Sequence, residues 1–87
     1  MNLTILTPDQ SIFSGEINAV KVPGFSGEFQ ILNNHAPLVA ALRSGKVAIK
    51  KVDGQMMNFT IQKGFIEVLN NQISLLVQGY KAENRED

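Results

Sequence analysis

The chain has no cysteine and no tryptophan, and only one histidine and one tyrosine among its 87 residues. Without cysteine, neither a disulfide framework nor a thiolate metal centre can form. His35 alone cannot supply the three or four nitrogen and sulfur ligands usual for zinc, so no metal is expected. No serine lies in a nucleophile-elbow pattern, and each would have to recruit His35 as its base. Gly24-Phe25-Ser26-Gly27 lacks the third glycine and the following lysine of a phosphate-cradling loop, so no nucleotide or other cofactor is expected there. An excess of one charge is also missing. Eight Lys and Arg balance eight Asp and Glu, which leaves no long-range attraction to nucleic acid. No apolar run approaches the ~18 residues of a membrane-spanning helix. Met1-Asn2-Leu3-Thr4-Ile5 has neither the basic start nor the apolar stretch of a signal peptide, so a cytoplasmic chain starting at Met1 is expected. What these absences leave is a small domain without catalytic equipment, whose work is binding.

Turn signals punctuate the chain about every ten residues, at Pro8-Asp9, Ser14-Gly15, Pro23-Gly24, Asn33-Asn34, Gly45, Asp53-Gly54, Gly64, Asn70-Asn71 and Gly79. The intervals are short for helices. Several alternate apolar with polar residues: Val47 and Ile49 against Ala48 and Lys50, and Ile73, Leu75 and Val77 against Ser74 and Gln78. Met57, Phe59 and Ile61 likewise share one side of a strand, opposite Met56, Asn58 and Thr60. In Gly64-Phe65-Ile66-Glu67-Val68-Leu69 both sides are partly apolar, which suits a strand near the middle of a stack. The fold class is therefore all-β, a two-layer β-sandwich.

Local chemistry suggests particular turns. Pro23 and Gly24 suit the two central positions of a type II turn. Asp53-Gly54 suits a two-residue hairpin loop pairing residues 47–52 with 55–62, and Asn70-Asn71 closes the next hairpin. Residues 35–42 are ambiguous, because Pro37 can open a helix and Leu38 and Leu42 sit at helical spacing. Residues 1–80 read as one domain. Residues 81–87 carry five charges and one small apolar residue, and are expected to fray into solvent. Phe25, Leu38, Val39 and Met56 stand in loops or on otherwise polar faces, as interface residues or as cover for the core.

The segment from Val20 to Leu38, VKVPGFSGEFQILNNHAPL, resembles the epsilon subunit of F-type ATP synthases. Three further pieces occur in that family's order: Thr7-Pro8-Asp9-Gln10, Phe13-Ser14-Gly15-Glu16 and Gly64-Phe65-Ile66-Glu67-Val68. Together they span nearly all of residues 1–80. The resemblance implies a sandwich of about ten short strands, with residues 38–42 extended rather than helical. It also implies a non-catalytic rotor subunit that binds no nucleotide, held peripherally at the cytoplasmic face of the bacterial inner membrane. Its partners would be the gamma subunit and the c-ring, through which it couples proton flow to ATP synthesis. Carried over residue by residue, Glu28 and His35 fall at the c-ring contact, and Thr7, His35, Ala36, Pro37 and Leu38 at the gamma contact. The chain ends at Asp87, where most bacterial members continue into a helical hairpin. The inhibition and ATP binding attributed to that hairpin are therefore not carried over.

Two rival readings differ in what they need. A free-standing β-sandwich binding a small ligand or carbohydrate needs a concave aromatic platform, and the chain has five Phe, one Tyr and no Trp. An enzyme needs a polar constellation around His35, its only plausible base.

Overall fold

A computed structural model describes residues 1–83 and divides them into nine strands. These are β1 (Asn2–Leu6), β2 (Ser11–Gly24), β3 (Gly27–Leu32), β4 (Leu38–Leu42), β5 (Gly45–Lys51), β6 (Met56–Ile61), β7 (Lys63–Leu69), β8 (Gln72–Gln78) and β9 (Lys81–Ala82). No helix occurs among the described residues. Residues 38–42 are extended and pair with β7 along their whole length, from Leu38 opposite Val68 to Leu42 opposite Gly64. Ladder hydrogen bonds and burial of Leu42 override a helical propensity worth only a few tenths of a kcal/mol per residue.

The strand order is β1-β8-β7-β4-β2-β5-β6-β9, with β3 on β2 and β1 closing back onto β2. The 14-residue β2 is shared between two layers. Residues 11–16 pair with β1, whereas later residues pair with β5, β3 and, at Gly24 alone, β4. A register shift between Ile17 and Ala19 marks the corner, where an extra residue lets a strand bend from one sheet into the next. One layer is therefore the start of β2 with β1, β8, β7 and β4. The other is β3, the rest of β2, β5, β6 and β9.

Strict alternation turns one side of each strand inward. Leu3, Ile5, Ile66, Val68, Ile73, Leu75 and Val77 from the first layer join Val20, Val22, Ile31, Val47, Ile49, Phe59 and Ile61 from the second in one buried cluster. Among the described residues no polar or charged one is buried with them. Each such side chain contributes about 1.5–3 kcal/mol on leaving water. Phe59, the largest, packs against Tyr80 with the rings tilted by 52° and their centroids 4.9 Å apart.

Two turn assignments need correction. The β2–β3 turn is centred on Phe25 and Ser26, two residues beyond each expected position, because Pro23 and Gly24 are still paired with Glu28 and Gly27. The β5–β6 loop has three residues, Val52, Asp53 and Gly54, closed by Gly54 N–H donating to Lys51 O at 3.0 Å. Gly54 has φ +88°, the left-handed residue that follows a type I turn in three-residue hairpins. The extra loop residue sets the register at Val47 opposite Phe59 and Ile49 opposite Met57, so apolar faces apolar. A two-residue loop would slip that register by one and pair each apolar residue with a polar one. Asn70-Asn71 does form a two-residue turn, with φ +51° and +62° as a type I′ turn requires. Lys81 and Ala82 are not frayed but pair with Thr60 and Phe59, and Lys46 meets Glu83 at 3.5 Å. The rest of the expected tail, residues 84–87, lies outside the described residues.

Candidate functional site

One row on the outward side of the first layer is apolar where alternation calls for polar residues. The register aligns Ala41 with Phe65, Phe65 with Leu76, and Leu76 with Leu6, so that the row crosses β4, β7, β8 and β1. Phe65 is 58% exposed and Leu76 48%. Phe25, 67% exposed at the β2–β3 turn, extends the row at one end. Together with Thr7, Pro8, Lys63 and Gln78 these residues line a groove of about 670 Å³. Gly64 brings its two sides together: a Cβ there would lie 2.5 Å from the Leu76 carbonyl oxygen, so only glycine lets β7 approach β8 this closely. Single exposed leucines are ordinary on a protein surface. A contiguous row with two phenylalanines is a candidate interaction surface.

A second, polar concavity of about 330 Å³ lies at the opposite end of the same layer, lined by Asn34, His35, Pro37, Asn70 and Asn71. Its walls are tied together. The Asn34 N–H donates to Asn71 Oδ1 at 2.6 Å, and Asn71 Nδ2 donates to Asn34 Oδ1 at 3.0 Å. The Asn71 carbonyl also accepts from the Asn2 N–H at 2.8 Å. Asn34 has φ +67°, the third residue of a turn closed by His35 N–H to Leu32 O at 3.2 Å. His35 itself is half-buried, with Nδ1 2.7 Å from the Ala36 carbonyl oxygen. Among the described residues no three His, Cys, Asp or Glu side chains converge as metal ligands would.

The residues singled out from sequence are distributed along this layer and beside it. Thr7 lines the groove, where its hydroxyl accepts from the Asp9 and Gln10 backbone N–H groups and so holds the β1–β2 turn. His35 and Pro37 line the polar concavity, Ala36 is exposed between them, and Leu38 enters β4 packed against the core. Glu28 stands exposed on the β2–β3 hairpin, three residues from Phe25. Glu28 and His35 are thus at opposite ends of β3 and are not brought together. Of the apolar candidates, Phe25 and Val39 are exposed, at 67% and 71%, whereas Met56, 49% exposed, lies on the other layer. Leu76 and Leu6 went unrecognised in the sequence, and the two-sided apolar character of residues 64–69, which suits a strand in the middle of a stack, belongs instead to a strand whose outward side, with Phe65 and Leu69, is exposed. The signal was present in Leu75-Leu76-Val77 and Gly64-Phe65-Ile66, where an apolar residue interrupts the alternation.

The chain matches a family model described as the ATP synthase, delta/epsilon chain, beta-sandwich domain, over residues 1–83. The ATP synthase epsilon chain of Chlorobaculum tepidum is 50% identical over 76 residues, which cover 87% of this chain and 86% of that one. That of Chlorobium limicola is 47% identical with the same coverage. Among solved structures, the Euglena gracilis mitochondrial ATP synthase, resolved as OSCP, F1 and c-ring, contains a chain that superposes with a TM-score of 0.86 at 22% identity. The match covers 92% of this chain and 51% of that one. A chain of the Tetrahymena thermophila mitochondrial ATP synthase central stalk and c-ring gives 0.78 at 18% identity, covering 93% and 65%. At those identities the likeness is one of fold, and the present chain spans about half and about two thirds of the two chains' lengths.

Proposed function

The chain belongs to the ATP synthase delta/epsilon chain family, as a stalk subunit rather than a catalytic one, and we propose that it joins the rotor by docking on gamma and on the c-ring. The observation that carries this reading is the exposed apolar row Ala41–Phe65–Leu76–Leu6 with its groove. Gamma lies on this face. Thr7 borders it at one end and the loop from His35 through Ala36 and Pro37 to Leu38 at the other, so every residue assigned to gamma flanks one layer. The c-ring loops meet the β2–β3 hairpin, where Glu28 offers a carboxylate to a basic loop residue. His35, at the far end of β3 from Glu28, is kept with gamma.

Torque passes through such a joint only if it resists shear, which requires central apolar anchors rather than rim charges alone. Phe65 and Leu76 are the anchors. Proton flow is then coupled to ATP synthesis through a rigid β-sandwich, at the membrane's cytoplasmic face, with no chemistry in the chain itself. The rival reading as a free-standing ligand-binding module gives way to the family membership.

Mixing the purified chain with gamma tests the reading. A one-to-one complex at micromolar concentration is expected. A folded chain that forms none would contradict it.

A further inference from the structure

The apolar row is bordered by opposite charges. Along β7 the outward positions read Lys63, Phe65, Glu67, Leu69, all exposed. Lys63 lies on the groove rim beside Gln78, and Glu67 lies on the other side of the row, between Val39 and Ser74 in register. With a strand rise of about 3.3 Å per residue, the two charges stand ~13 Å apart with Phe65 midway. Neither makes a salt bridge among the described residues. Lys63 is the one charged residue lining the groove among the described residues.

From this we infer that the face dictates the orientation of its partner: the gamma segment crossing β4, β7, β8 and β1 is apolar, with a carboxylate toward Lys63 and a cation toward Glu67. The inference rests on the reading of this face as gamma's seat. A segment docked the reverse way would place like charge against like on both sides, at the edge of a desolvated groove where repulsion is least screened. The apolar row supplies affinity, and the flanking pair selects between two orientations of similar apolar contact.

Charge-swapped variants of the whole chain test it, with affinity for gamma measured by titration calorimetry at low and high salt. Lys63→Glu and Glu67→Lys each weaken binding about three- to fivefold at low salt, and less at high salt. The decisive variant is the double swap, Lys63→Glu with Glu67→Lys, which preserves net charge. Oriented docking predicts that it binds about tenfold more weakly than the native chain, since both pairs are mismatched. A double swap that binds as tightly as the native chain overturns the inference, because net charge alone would then be sensed. Single variants no weaker than Lys50→Glu, on the other layer, overturn it equally. Phe65→Ser separates the two levels. If it abolishes binding while the charge variants do nothing, only the orientation fails. If it too binds normally, the seat itself is wrong and the orientation falls with it.

Discussion

The two layers of the sandwich bury the same kind of side chain and expose different kinds. On the second layer the outward positions of β2, β3, β5, β6 and β9 include Lys21, Gln30, Lys46, Lys50, Asn58, Thr60 and Lys81. Lys46 reaches Glu83 there, and Met56 and Leu32 are exposed apolar exceptions, at the β5–β6 hairpin and at the end of β3. On the first layer the outward positions include, between Lys63 and Gln78 on one side and Glu67 and Ser74 on the other, the row Leu6, Ala41, Phe65 and Leu76. The inner faces satisfy folding in both cases, so folding cannot account for the difference. Lysine and threonine on an outer sheet face keep it solvated and discourage edge pairing. Phenylalanine and leucine there add nothing to the core and risk aggregation unless something covers them. The difference is the one expected if the second layer is finished when the chain folds and the first is completed by the partner proposed for it.

Neighbouring residues of β8 give the strongest test. Leu75→Ala, on the inner side, is expected to cost about 2–5 kcal/mol in urea unfolding, a large share of a small domain's stability. Leu76→Ala, one residue on, is expected to stay within about 0.5 kcal/mol in the same assay. Equal costs would mean that the outer row is part of the core, and would erase the contrast.

The binding counterpart is Phe65→Glu, which is expected to weaken gamma association by about 2 kcal/mol or more, roughly thirtyfold, without lowering the melting temperature. Thr60→Glu on the opposite face should change affinity less than twofold. Gly64→Ala sharpens the geometry beneath the row. Its Cβ must displace the Leu76 carbonyl, so a loss of about 1–3 kcal/mol in stability is expected, with gamma affinity falling alongside. The smallest effect belongs to Asn71→Gly, which tolerates the left-handed backbone but removes both side-chain bonds to Asn34. A loss of about 1 kcal/mol is expected, with faster amide exchange in the His35 loop.

Much of this was legible in the sequence, for reasons that differ by element. Alternation exposed the inner faces of β5, β6 and β8 because water imposes a period of two on any half-buried strand. Asn70-Asn71 was readable because few residue pairs accept two positive φ values. The β2–β3 turn was misread because Pro23-Gly24 has good turn chemistry, but the pairing of Pro23 with Glu28 and Gly24 with Gly27 extends the hairpin past it. Asp53-Gly54 misled in the same way, since a loop of two or three residues is decided by cross-strand register, which local chemistry does not carry. Thr7 and the His35 loop were reached by family resemblance alone, and both flank the layer that carries the apolar row. The row itself needs four strands side by side, two of them from distant parts of the chain, and no single segment displays it.

The most direct test is hydroxyl-radical footprinting of the chain alone and in complex with gamma, read at Phe65, Leu76 and Met56. All three side chains are about half exposed, so each reports in the free state. The expected result is that Phe65 and Leu76 lose most of their reactivity in the complex while Met56, on the other layer, keeps its own. Protection of Met56 with Phe65 and Leu76 unchanged would put gamma on the polar layer and contradict the account.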